Sequence, residues 1–151
     1  DVDQQDQLGR TALFLSCQYG HPECARALIG ARAAVNKTDN EARTPLMVAC
    51  RSGHLECAQA LINAGAAVDE ADSDAKTALM WACKWGHPEC VHALIRAGAV
   101  VDKKDNNGFT AQMWAACGPY GSIPHKECFQ ALSAAGATLN INGLETLMWV
   151  L

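Results

Sequence analysis

Aromatic side chains are scarce, at 6% of 151 residues, although half of the residues are hydrophobic. So small an aromatic content, beside abundant alanine, suits short, closely packed helices better than the thick core of a sheet. Long apolar runs are missing too. None approaches the roughly 18 residues that suggest a membrane span, so no membrane association is expected. A strong charge of either sign is absent. The formal net charge is −4, whereas general nucleic-acid binding needs a basic surface, so no nucleic-acid partner is expected. Also missing are the glycine-rich phosphate loops, the G-x-S-x-G elbow and the HExxH helix; no enzyme and no cofactor is expected. None of the eight cysteines stands in the C-x-x-C pair of a zinc ribbon or thioredoxin-like centre. The chain carries no initiator Met, signal peptide or basic leader, and reads as a piece of a longer protein.

What is present is self-similarity. Thr11, Thr44, Thr77 and Thr110 follow one another at steps of 33 residues. Gly20-His21, Gly53-His54 and Gly86-His87 keep that step, as do Cys24, Cys57 and Cys90. The clearest copy runs from Asp72 to Lys104. A unit of this size cannot bury its own apolar face, so the copies must stack on one another.

Each copy spells turn, helix, short loop, helix. The threonine stands before an apolar run, as an N-cap hydroxyl should, and Pro45 follows its cap at the first helical position. The first helix stops at Gly20, Gly53 or Gly86. Pro22 and Pro88 then fit the first turn of a second helix, where Glu23, Glu56 and Glu89 complement its positive end. Cys57, Ala60, Leu61 and Ala64 keep helical spacing, and Gly65 and Gly98 read as left-handed caps. Arg32 holds that place in the first copy, at a cost of about 1 kcal/mol. Val35, Val68 and Val101 follow, then a polar turn with Asp39, Asp72 or Asp105. The recurrent cysteines sit where periodicity wants a small buried residue, and free cysteine behaves as a small hydrophobe. Buried, reduced thiols are expected, with metal binding and redox pairing as the alternatives; that places the chain in a reducing compartment, cytosol or nucleus.

Asp39, Thr44-Pro45-Leu46, Ala49, Gly53-His54, Leu61-Ile62, Gly65-Ala66 and Val68-Asp69 together resemble the ankyrin repeat, and the match recurs at fixed phase. The resemblance implies an all-α ankyrin-repeat solenoid with protruding hairpin-like turns, one domain over residues 1–151. Its repeats fall at about 6–38, 39–71, 72–104 and 105–140, with a partial repeat at 141–151. Where the family carries a histidine after T-P-L, Phe14, Met47, Met80 and Met113 stand, so apolar contact replaces that histidine's hydrogen bonds. Val2 to Asp6 parallels the tail of a repeat, so the array is expected to continue upstream. Repeat four departs from the pattern. Gln112 takes the place of leucine, and Ala115 to Cys128 spans 13 positions where Ala82 to Cys90 spans 8, which inserts an irregular loop around Tyr120. Glu145 to Leu151 repeats the start of a first helix and reads as a fifth repeat that is either truncated or reduced to a terminal cap, the apolar Trp149, Val150 and Leu151 favouring truncation.

Function must then come from a surface. The ankyrin resemblance implies recognition of a protein or peptide by a monomeric scaffold, through turn tips and the inner face of the first helices. The variable positions there are Arg10, Arg43, Lys76 and Phe109 before the threonine, and Tyr19, Arg51, Lys84 and Trp85 at the helix ends. Arg10, Arg43, Arg51, Lys76 and Lys84 against Glu41 and Asp74 predict a partner with acidic character; a merely solvated charged face is the bland alternative. Tyr19 and Trp85 are the expected anchors, since Trp, Tyr and Arg dominate binding hot spots. Trp81, Trp114 and Trp149 share one position on successive first helices. This resembles the methyl-lysine cage in the ankyrin domains of some histone methyltransferases, with Phe109, Trp114 and Trp149 in the aromatic places and Cys117 where the family has an acid. Aromatic faces attract quaternary ammonium groups, so a methyl-lysine reader is the alternative function. His21, His54 and His87 follow the inter-helix glycine and lie one repeat apart, too far to share a metal ion.

Overall fold

The computed structural model describes residues 1–118 and 125–138. The inserted loop around Tyr120 and the expected fifth repeat with Trp149 lie outside those residues. Eight helices are described: α1 (Ala12–Gln18), α2 (Pro22–Gly30), α3 (Pro45–Ser52), α4 (Leu55–Asn63), α5 (Ala78–Trp85), α6 (Pro88–Arg96), α7 (Ala111–Cys117) and α8 (Lys126–Ala134). Among the described residues the extended pairing amounts to one antiparallel bridge, between Ala71 and Thr77.

The four threonines start the first helices. Their hydroxyls accept from the backbone N–H of Phe14, Met47, Met80 and Met113 at 3.1, 3.2, 3.4 and 3.3 Å, caps worth about 1 kcal/mol each. Gly53 and Gly86, with φ of 75° and 73°, end α3 and α5 in the left-handed conformation. Pro22 and Pro88 open α2 and α6. The helices form two layers: α1, α3, α5 and α7 pack in sequence, and α2, α4, α6 and α8 pack in sequence behind them. Leu13, Leu46 and Leu79 are buried at one repeat position and Leu61, Leu94 and Leu132 at another. Phe14, Met47 and Met80 are fully buried, which fits the apolar replacement of the family histidine.

In the loops between paired helices the histidines couple neighbouring repeats. His87 Nε2 donates to the Arg51 carbonyl at 3.1 Å and His125 Nε2 to that of Lys84 at 3.3 Å. Each imidazole fills the space beside the preceding repeat's glycine; a Cβ on Gly53 would stand 2.5 Å from His87 Nδ1. Gly53 therefore meets two demands, positive φ and close approach. The repeat tails are coupled as well. Asp3, Asn36, Asp69 and Asp102 each accept, through Oδ1, the N–H of a residue in the next tail: Ala34, Ala67, Val100 and Thr138, at 2.9 to 3.1 Å.

The expected left-handed residue Arg32 is there, at φ 65°, and so are two that were not expected, Ala42 at 59° and Ala75 at 61°. They share one repeat position with Gly9 and Gly108. The thiols need a correction. Cys17, Cys50, Cys57, Cys83, Cys90 and Cys128 are buried, but Cys24 is exposed and Cys117 half-buried. The reason lies in the stacking. Each buried second-helix cysteine meets a first-helix thiol of the preceding repeat, Cys17 with Cys57, Cys50 with Cys90 and Cys83 with Cys128. Cys24 has no such partner among the described residues.

Candidate binding surface

The turn tips are built around Asp6, Asp39, Asp72 and Asp105. Each uses Oδ1 twice, accepting the N–H of the residues two and four positions on; for Asp39 these are Glu41 and Arg43, at 3.0 and 2.9 Å. Adjacent tips are then linked, Asn40 N to Leu8 O, Ser73 N to Glu41 O and Asn106 N to Asp74 O, all at 3.0 Å. Oδ2 is left for a side chain, and here the array divides in two. In the first two repeats it accepts from arginine: Arg10 Nε on Asp6 at 2.9 Å, Arg43 Nε and Nη2 on Asp39 at 2.8 and 2.6 Å. In the next two it accepts from an indole: Trp81 Nε1 on Asp72 at 2.9 Å and Trp114 Nε1 on Asp105 at 3.1 Å. Asp39, Asp72 and Asp105 are buried, and these bonds satisfy carboxylates that burial would otherwise penalise. Sequence reasoning missed this exchange. Its signal was nevertheless present, since Arg stands four residues after the aspartate only where Trp is absent nine residues after it.

The exchange corrects the expected basic row. Arg10 is spent on Asp6, whose carboxyl it holds below the ordinary value. Arg43 is spent on Asp39, with Nη1 also 3.1 Å from Glu41. Lys76 is not an exposed tip residue: it is 6% exposed. With Asp72 occupied by Trp81, Lys76 turns to Asp74 Oδ2 at 2.9 Å, lowering that carboxyl's pKa. Only Arg51 and Lys84 of the five cations lack a described carboxylate within 4.0 Å.

Both are held by aromatic faces instead. The Arg51 guanidinium carbon lies 5.3 Å from the Trp81 ring centre and 5.7 Å from that of Trp85. Lys84 Nζ lies 5.4 Å from the ring centre of Trp81 and 4.5 Å from that of Trp114. Cation–π contacts of this kind are worth about 0.5–2 kcal/mol. Burial depresses the Lys84 pKa, and Lys76 and Arg51 depress it further. Next to this lies a groove of about 380 Å³ between Tyr19, Arg43, Arg51 and Trp85. Tyr19 is 60% exposed, and the buried Trp85 Nε1 has no hydrogen-bond partner.

Phe109 and Trp114 meet with ring centres 5.0 Å apart, tilted by 37°. These are two of the three aromatics of the methyl-lysine reading; the third, Trp149, is outside the described residues, and Cys117 is half-buried. Lys84 Nζ, at 4.5 Å, and Lys76 Nζ, at 5.7 Å, also lie over the Trp114 ring. Among the described residues no group of His, Cys, Asp and Glu is placed to hold a metal ion, and no helix is long and apolar enough to cross a membrane.

Stacked helix pairs and fused turn tips, repeated along the chain, define a solenoid repeat protein. The chain belongs to the ankyrin repeat family: a family model described as ankyrin repeats in three copies matches residues 1–72 and again 64–143. Ankyrin repeats mediate protein–protein interaction. No curated protein matches the chain.

Proposed function

We propose that this array is a scaffold module that binds a protein partner of acidic character on the inner face of its first helices. The observation that carries the reading is the pair Arg51 and Lys84, cations held in place by Trp81, Trp85 and Trp114 while no described carboxylate lies within 4.0 Å. Arg is favoured at the centre of interfaces because its planar fork matches a carboxylate. Tyr19 and Trp85, which line the groove beside Arg51, supply a neighbouring anchor. Its free thiols support a reducing compartment, cytosol or nucleus. Fluorescein-labelled octaglutamate and octalysine provide the test. Octaglutamate is expected to bind with an affinity that falls as salt rises, and Arg51→Glu/Lys84→Glu is expected to weaken it at least tenfold. Octalysine binding as tightly as octaglutamate would refute the reading.

A further inference from the structure

Three cationic heads crowd one indole. Arg51, Lys84 and Lys76 lie 5.3, 5.4 and 5.7 Å from the ring centre of Trp81. They come from three different places, the end of α3, the end of α5 and the tip before Thr77, and the stacking of repeats two and three brings them together. One described carboxylate, Asp74, is within ion-pair distance of any of them, and it is 68% exposed. Asp72 and Asp105 nearby are committed to Trp81 and Trp114 and to their own turns. Asp72 and Asp105 keep their charges while accepting from the two indoles, and Lys76 is paired with Asp74, so Arg51 and Lys84 are the two cations of the cluster with no described carboxylate within 4.0 Å.

We infer that this cluster receives a doubly charged oxyanion, a phosphorylated serine or threonine side chain of the acidic partner, between Arg51 and Lys84. The inference rests on the reading of an acidic partner and goes beyond it in naming the anion. A single carboxylate would pair with only one of these two cations. A phosphate monoester carries about −1.5 to −2 at neutral pH and three acceptor oxygens, which matches both the charge and the donors of one guanidinium and one ammonium. The indole faces hold Arg51 and Lys84 without consuming their hydrogen-bond donors, so the donors remain available to a ligand. Burial, and after it Lys76 and Arg51, depress the Lys84 pKa against the opposing pull of Asp105 and Asp74, so an anion placed against Lys84 would favour its charged form.

Two labelled octapeptides test this, identical and glutamate-rich except for phosphoserine or glutamate at the fourth position. Binding is read by fluorescence anisotropy at constant ionic strength. The phosphoserine peptide is expected to bind at least fivefold tighter. That advantage should collapse to within twofold in Lys84→Gln and in Arg51→Gln, with far-UV circular dichroism confirming that both variants stay folded. Equal binding of the two peptides to the unaltered protein overturns the dianion inference and leaves the acidic-partner reading standing. An advantage that survives in both variants also overturns it, because the phosphate then sits elsewhere. If neither peptide binds, both readings fall.

Discussion

At the scale of the residue, the most informative positions are those that break the repeat. Gln112 stands where Leu13, Leu46 and Leu79 are buried. It is buried as well, at 2% exposure, and its Nε2 donates to Ser133 Oγ at 2.8 Å while its Oε1 has no partner. A buried acceptor left unpaired costs about 1–3 kcal/mol. Gln112→Leu is therefore expected to stabilise the chain by about 1–2 kcal/mol and to raise the midpoint of thermal unfolding. An unchanged or lowered midpoint would show that Oε1 is satisfied or that the site cannot hold the leucine shape. Ala42 and Ala75 break the pattern differently. They hold left-handed backbone at about 1–2 kcal/mol each, because the Asp39 and Asp72 turns wrap their own N–H groups regardless of the side chain at that position. The substitution at Gln112 was plain in the sequence, since a polar residue interrupted an apolar column. The strain at Ala42 was not, since alanine is unremarkable until the turn around it is known.

At the scale of the element, each turn is closed by one aspartate whose second oxygen takes either arginine or indole. This explains why Lys76 was misplaced by sequence reasoning. Side-chain type alone put it beside Arg10 and Arg43, whereas the Trp81 indole had displaced it from Asp72 and folded it inward. Arg51, Lys84, Trp81 and Trp114 were legible as a helix-end and mid-helix set. Their mutual stacking was not, because it depends on how far α5 is offset from α3 and α7. The loops between paired helices carry a pH dependence. His87 is half-buried, and burial first of all lowers its pKa, with His125 and His54 adding to the effect against the opposing Arg51 hydrogen bond and Glu89. The unfolded chain therefore binds the proton more readily than the fold does. Stability is complete above the ordinary histidine pKa of about 6.5 and declines as pH falls from there towards the lower folded value. Urea unfolding between pH 7.5 and 5.5 should show that decline, and His87→Gln should flatten it. A variant whose slope equals that of the parent would assign the decline to other groups.

At the scale of the whole molecule, the fold was legible almost throughout. A period of 33 residues, recurrent caps and a family phrase leave one architecture open, and the helices fall where those signals put them. What the sequence could not convey was the consequence of stacking, the contacts made by residues some 30 to 45 positions apart. The thiols illustrate this. Cysteine at two recurrent positions looked like one uniform class, yet stacking sorts those seven thiols into three buried pairs and the exposed Cys24.

That sorting makes the stack measurable. In a solenoid each repeat is held by its neighbours alone, so when residues 1–151 are produced by themselves, repeat one is an end repeat and opens more often than the central ones. Cys24 should react with a maleimide at the rate of a free thiol, needing no opening. Cys17 and Cys57 are buried against each other, and burial pushes the Cys17 thiol up to about 12, so they should react only when repeat one detaches. Cys50 and Cys90 lie deeper in the array. There donation to Cys90 together with burial pushes the Cys50 thiol well above its ordinary range, and they should react more slowly still. Mass spectrometry of time-resolved labelling would read each thiol separately, and urea below the unfolding midpoint should accelerate Cys17 before Cys50. Equal rates at Cys17 and Cys50 across the urea series would mean that the array opens as one body, with the interface between repeats stronger than the repeats' tendency to fray.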